Sequence, residues 1–170
     1  KINQPKAYIY TCNAGYIDSE HWIQDMKGGG GRLIGEACHF LDYLRFLDSS
    51  TITEVKLMTI SNLKNNDNFT INLKFESGSI GTIHYFANGH KSFPKERIEI
   101  FGENKVIRID NFKKLKTWGI NNMRNLNHLN ADKGQSNCVN AFLNAINEGG
   151  QCPISFSEII EIHNHLLNIN

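Results

Sequence analysis

GGGGRLIGEACHFLDYLRFL, residues 28–47, is the stretch on which the reading of this chain turns. At the helical period Leu33, Ala37, Phe40, Leu41, Leu44 and Leu47 fall on one stripe, which predicts an amphipathic helix over 33–47. Arg32, Glu36, His39 and Tyr43 gather on a different side. A solvated helix face usually carries Lys, Glu and Gln. An imidazole, a guanidinium, a carboxylate and a phenol behind four glycines read instead as a site.

Upstream, AYIYTC (7–12) predicts a strand, and the segment from Asn13 to the glycines is too polar and aromatic for a plain linker. Downstream the period changes to two. Strands are expected over 54–61, with Val55 and Leu57 on one face, and over 68–75, with Ile71, Leu73 and Phe75 inward. Glu76-Ser77-Gly78-Ser79 is a tight-turn signal returning into a strand over 80–86. A second hairpin is expected from 97–101 and 105–110 around Gly102-Glu103-Asn104, with an edge strand over 114–118. Residues 120–131 read as a loop or frayed helix.

Two helices close the chain. One, over 135–148, is expected to bury Cys138, Val139, Phe142, Leu143 and Ile146 and to stop at Gly149-Gly150. The other is announced by a capping box, Ser155 with Glu158, and its stripe runs through Ile159, Ile160, His163, Leu166 and Leu167. Consecutive hairpin-linked strands with helices at the ends predict an α+β fold: a largely antiparallel open sheet with helices packed on one face.

The 170 residues, 40% hydrophobic, suffice for one domain with its own core, here 1–170. A formal net charge of +1 gives no reason to expect nucleic acid, and no apolar run is long enough to span a bilayer. The four cysteines, Cys12, Cys38, Cys138 and Cys152, never form CxxC, which argues against zinc and fits a reduced, cytoplasmic protein. The sequon Asn68-Phe69-Thr70 lies inside a predicted strand. The chain starts at Lys1 without methionine, so it is expected to be part of a longer parent.

His39 leads the chemistry because imidazole exchanges protons near neutral pH. Its plain alternative is a surface histidine hydrogen-bonded to Glu36 or Asp42. Arg32 and Glu36 lie within a turn of it. They suit hydroxyl or anion recognition, or else form an ordinary i,i+4 ion pair. Trp22, with His21 and Asp25 nearby, offers an aromatic face beside a carboxylate, which suits a sugar-like ligand; it could equally plug the core. His90 and Lys91 sit in a loop between strands, where substrate contacts often lie. His163 reads as a satisfied core histidine, and Lys113 to Lys116 as a solvated strand edge. Gly28 to Gly31 follow no strand in dinucleotide-fingerprint register.

Residues 29–42 resemble the GGG-x-L-x-D-x-x-x-H-x-x-D signature of the C-terminal domain of the glucose–fructose oxidoreductase, inositol dehydrogenase and MocA-like family, nearest its bi-domain-containing oxidoreductase branch. NAGYIDSEHWIQD (13–25), PKERIEIFGENKVIRIDNF (94–112), DKGQ (132–135) and CPISFSEI (152–159) extend the resemblance over nearly the whole chain. It implies the substrate-binding and catalytic half of an NAD- or NADP-dependent enzyme whose Rossmann domain, absent here, binds the cofactor. His39 falls at the family's catalytic histidine, and Gly35 falls where the family commonly has aspartate, a carboxylate that Glu36 could supply from the next position. Asn13, Trp22, Asp25 and Arg32 would help hold a sugar, cyclitol or nucleotide-sugar substrate, and the sheet face would build a homo-oligomer. The isolated chain is expected to bind dinucleotide poorly and to be inactive. Two other readings stand beside this one: a non-catalytic binding or dimerisation module of the same fold, and a stand-alone isomerase or lyase using His39 with Glu36.

Overall fold

The computed structural model describes residues 2–60, 67–121 and 123–169. Their first strand is β1 (Ala7–Asn13), and a single 3-10 turn (Trp22–Gln24) precedes helix α1 (Gly31–Asp48). The antiparallel run follows as β2 (Ile52–Thr59), β3 (Asn68–Phe75), β4 (Ile80–Phe86), β5 (Glu96–Gly102), β6 (Lys105–Asp110), β7 (Lys114–Trp118) and the two-residue β8 (Leu126–Asn127). Helices α2 (Gln135–Asn147) and α3 (Phe156–Leu167) end the chain. The strand expected to reach Ser61 stops at Thr59, and Ser61 lies outside the described residues. Within 120–131, Asn122 likewise lies outside them, and Leu126–Asn127 pairs as a strand with β7.

The strands form an eight-stranded sheet in the order β2-β3-β4-β1-β5-β6-β7-β8. Every pairing is antiparallel except β1 with β4, so β1 is a central strand slotted between β4 and β5. Alternation sets the faces. Tyr8, Tyr10 and Cys12 of β1, Phe69, Ile71, Leu73 and Phe75 of β3, Ile83 and Tyr85 of β4 and Ile98 and Ile100 of β5 all point to one side. That side meets Ala37, Phe40, Leu41 and Leu44 of α1, and these residues form the core. Two hairpin turns use paired left-handed residues, Glu103-Asn104 and Asn111-Phe112, whose twist matches that of the flanking strands.

Helix α3 lies beside α1 and is fixed by polar contacts as much as by packing. Arg45 Nη1 donates to Glu158 at 2.8 Å, and its Nε donates to Glu161 at 3.1 Å. The other Glu161 oxygen accepts from Ile52 N, and His165 Nε2 meets Ile52 O. These bonds turn the Glu158–Glu161–His165 side inward with Ile162 and Leu166. The expected stripe is therefore rotated: Ile159, Ile160 and Leu167 stay outside, and His163 is exposed rather than a core residue.

Helix α2 departs further from expectation. Its stop at left-handed Gly149 matches the pattern, yet it buries nothing: Cys138 is exposed, and Val139, Phe142, Leu143 and Ile146 are all about half exposed. The periodicity is right; its apolar side meets no surface among the described residues. No helix among the described residues is long and apolar enough to cross a membrane.

Leu41, fully buried between helix and sheet, tests the core directly. Leu41→Ala is expected to cost about 2–5 kcal/mol with the denaturant slope unchanged, read by equilibrium urea unfolding.

Candidate active site

The glycine run is shaped from outside itself. Asp25 accepts from Lys27 N (3.0 Å) and Gly28 N (3.2 Å) through its carboxylate, and from Gly29 N (2.7 Å) and Gly30 N (3.0 Å) through its carbonyl. Gly30 and Gly31 take left-handed φ, and α1 starts without a side-chain cap. Close approach bears on two glycines, Gly29 strictly and Gly35 through a crowding that a shift of a few tenths of an ångström would relieve. A Cβ on Gly29 would stand 2.6 Å from the Ile23 Cα and the Trp22 carbonyl, and one on Gly35 would stand 3.2 Å from the Gly29 carbonyl. The 22–30 loop thus lies directly on the first turns of α1. Since Asp25 takes the amides of Lys27, Gly28, Gly29 and Gly30, the run does not fit a pyrophosphate cradle.

Arg32 is the hub of this end of the molecule. Its side chain is almost wholly buried, with Nη1 donating to Gly15 O at 2.8 Å. Its guanidinium lies 4.9 Å from the centre of the Tyr85 ring and pairs with Glu36 at 3.4 Å, with Asp67 farther off at 3.9 Å. Tyr85 donates to the other oxygen of Glu36 at 2.5 Å and stacks on Phe69. Gln24 donates to Asp67 at 2.7 Å. A buried guanidinium that lost its carboxylate would leave an uncompensated charge, so this cluster holds together as a unit.

His39 lies two turns along α1 from Arg32 on nearly the same side, but beyond the cover of the 22–30 loop it is exposed, as are Gly35 and Phe46. Its ring makes no hydrogen bond among the described residues. Asp42, one turn on, is half-buried; burial and repulsion from Glu158 push its carboxyl above the usual range, while Arg45 and His39 pull against this. Tyr43, expected beside His39, packs instead on Tyr10 and Phe112. The polar side read from the helix period is therefore split: Arg32 and Tyr43 turn inward, Glu36 is held at the boundary, and His39 faces out.

The other residues singled out fall into two groups. Asn13 Nδ2 donates to His90 O (2.9 Å) and Phe93 O (3.3 Å), so Asn13 ties down the loop that carries exposed Lys91. Its Oδ1 is buried without a partner and fills the place a Gly89 Cβ would need. Trp22 is 68% exposed, lies against His21, and shares its turn with the exposed Asp25. Between this turn and α1 lies a cleft of about 400 Å³ lined by Gln24, Met26, Arg32, Ile34, Asp67 and Leu166 among others; His39 does not line it. Sequence reading missed Tyr85, Asp67 and Gln24. Only the alternation of β4, which turns Tyr85 inward, pointed to any of them. Among the described residues no group of three His, Cys, Asp or Glu side chains is placed to hold a metal ion.

An open α+β sheet with a glycine-gated helix across one face defines the class, and comparison of sequences defines the family. The profile of the GFO/IDH/MocA C-terminal domain matches residues 6–108, and this chain belongs to that family. No curated protein matches significantly. Among solved structures, an oxidoreductase domain protein from Kribbella flavida superposes with a TM-score of 0.80 at 20% identity, over 99% of this chain and 57% of its own. UDP-N-acetylglucosamine 3-dehydrogenase GnnA from Acidithiobacillus ferrooxidans gives 0.75 at 15% identity, over 97% and 52%. An oxidoreductase from Agrobacterium radiobacter, in complex with NAD+, L-tartaric acid and magnesium, gives 0.70 at 18% identity, over 99% and 54%. The chain thus spans about half the length of the structures it resembles.

Tyr8, Tyr10 and Tyr85 are pushed well above the ordinary phenol value of 10.0 by burial first, then by the Asp48, Glu96 and Glu36 carboxylates their hydroxyls meet. The folded state keeps these protons where the unfolded chain releases them. Stability is expected to be intact below pH 10 and to fall above it by about 1.4 kcal/mol per pH unit for each tyrosine. Denaturant unfolding between pH 9 and 11 reads this slope, and replacing one of the three with Phe is expected to remove its share.

Proposed function

We propose that this chain is the substrate-side half of an NAD- or NADP-dependent oxidoreductase acting on a hydroxyl of a sugar, cyclitol or nucleotide-sugar-like substrate. The observation that carries the reading is His39: an exposed, unbonded imidazole on the rigid helix α1, in a chain of this family. The dinucleotide, held mainly by a Rossmann domain on the same polypeptide, supplies the hydride acceptor. This chain supplies the proton handling and part of the substrate wall.

In this reading His39 Nε2 or Nδ1 accepts the proton of the hydroxyl being oxidised and returns it in the reverse direction. Glu36 is held by Tyr85 and Arg32, so it meets a substrate from a fixed position and assists as a carboxylate that cannot swing. Arg32, wholly enclosed, holds Gly15 and the following segment in place for the substrate. Trp22 and Asp25 offer an aromatic face and carboxylate oxygens, and Asn13 positions the Lys91 loop. Two of the similar structures support the class: one is a UDP-N-acetylglucosamine 3-dehydrogenase, another an oxidoreductase in complex with NAD+.

The same reading includes a homo-oligomer built through the uncovered sheet face. Register aligns Ile80, Ala7, Phe101, Val106 and Trp118 in one row across that face. Ile80, Phe101 and Trp118 are 55, 38 and 48% exposed, an apolar band suited to a partner sheet. A Phe101→Asp variant is expected to sediment as a monomer where the parent does not; an unchanged sedimentation coefficient would remove the sheet face from the interface.

The non-catalytic module is favoured by one observation, that His39 lies outside the 400 Å³ cleft. His39→Ala in the complete two-domain enzyme separates the two readings. Loss of proton transfer is expected to lower kcat by about 10²–10⁴-fold with the oligomer intact. Unchanged turnover would reject catalysis by this chain. The 170-residue chain alone is expected to give no NAD-dependent turnover.

A further inference from the structure

The loop that leaves β4 is clamped on both sides and open in the middle. Ahead of the gap, Asn68 Oδ1 accepts from Ala87 N at 2.9 Å and from Asn88 N at 3.1 Å, and the first of these bonds is buried. Beyond it, Asn13 Nδ2 donates to His90 O and Phe93 O at the surface. Asn13 also lies so close to Gly89 that a Cβ there would stand 1.9 Å from its Oδ1. Between the clamps stands Asn88-Gly89, the one Asn-Gly pair in the sequence. Both residues are exposed and belong to no helix or strand. Among the described residues neither the Asn88 side-chain amide nor the Gly89 N–H makes a hydrogen bond.

We propose that Asn88 is a site of spontaneous covalent rearrangement in the native fold, and that its conversion to an isoaspartyl residue frees the loop tip, residues 90–93, from Asn13. The Gly89 nitrogen, its proton lost to hydroxide, attacks the Asn88 side-chain carbonyl carbon. A C–N bond forms, the side-chain nitrogen leaves as ammonia, and a five-membered succinimide closes. Water then opens the ring at either carbonyl. Opening at the main-chain carbonyl routes the chain through the former side chain, one carbon longer and with a new carboxylate; opening at the other leaves ordinary aspartate. One water is consumed, one ammonia is released, and nothing is oxidised or reduced.

Three features favour this position. Glycine leaves its nitrogen open to approach and lets the backbone turn toward the side chain. That nitrogen is unbonded, so attack breaks no contact, whereas Asn68 and Asn72 sit in β3 between two paired strands. Exposure admits water and hydroxide. The added carbon must then be absorbed between the two clamps. The Asn68 bonds continue the sheet and are wholly or partly buried, while the Asn13 bonds are exposed. The outer clamp is therefore the one that yields. Lys91 moves with the tip, and the inference does not depend on the role given to Lys91 above.

The native 170-residue chain, aged at mildly alkaline pH and then digested with trypsin near neutrality, tests both parts. Cleavage after Lys74 and Lys91 releases residues 75–91, in which Asn88 is the only asparagine. That peptide is expected to gain about one mass unit and to become a substrate for isoaspartyl methylation. The gain is expected within roughly tenfold of its rate in the free peptide, since no local opening is needed first. No gain in the native chain while the free peptide converts would overturn the proposal. So would the same gain in an Asn88→Gln chain, whose longer side chain disfavours the five-membered ring. In brief proteolysis of the native protein, the Lys91–Ser92 bond is expected to be cut roughly tenfold or more faster after ageing. Asn88→Asp adds the charge without the extra carbon and is expected to keep the unaged rate. An aged protein cut no faster, or an Asn88→Asp chain cut as fast as the aged one, would overturn the release of the tip.

Discussion

A guanidinium enclosed by protein is the constraint on which the working end of this molecule depends. Arg32 cannot be solvated, so it must be answered from within, and the answers come from widely separated parts of the chain: Gly15, Glu36, Asp67 and the face of Tyr85. Each link fixes an element. Gly15 anchors the segment after β1, Glu36 belongs to α1, and Tyr85 belongs to the sheet. Charge burial of this kind adds little to net stability when complete and is costly when broken, so it acts chiefly to select one arrangement of these parts.

His39 benefits from that rigidity without taking part in it. The inward side of α1 is committed to Arg32, Glu36 and the core, and the helix cannot roll without breaking those contacts. A group on its solvent side is therefore presented from a fixed platform, the condition a proton-transfer residue needs. The loop lying on Gly35 has the same effect, for it brings Ile23 and Gly29 down onto the helix. A side chain at Gly35 would crowd the Gly29 carbonyl, and the loop would have to shift by a few tenths of an ångström to admit it.

Local pattern carried most of the fold. The alternation of β3 and β4, the turns after β3 and β5, and the capping box of α3 are written in neighbouring residues, and the structure matches them. Pairing is not written locally: nothing in AYIYTC says that β1 lies parallel to β4 and central in the sheet. Side-chain chemistry misled at identifiable places. Arg32 was read as a group open to a substrate or else as an i,i+4 partner of Glu36; the pair is present, but its burial was not legible because Gly15 and Tyr85, which enclose it, lie far from it in sequence. In α3, Glu158, Glu161 and His165 turned in, against the apolar stripe, because Arg45 and the Ile52 backbone supply their partners. The stripe of α2 was read correctly, but its burial depends on a surface these residues do not provide. Of the candidate site, type and position single out His39 in the sequence, whereas the Tyr85–Glu36 contact required the sheet.

The central place of β1 has a consequence for how the molecule assembles. Residues 7–13 leave the ribosome well before either neighbour, since β4 begins at Ile80 and β5 at Glu96. A middle strand with no early partner must wait unpaired while about seventy residues, from Asn13 to Phe86, are synthesised, with its tyrosines and Cys12 uncovered. Long-range closure of this kind is slow. Insertion of this early-made strand thus becomes the late, order-determining event in folding of the sheet, and the period before it is when the sheet is most open to misassembly.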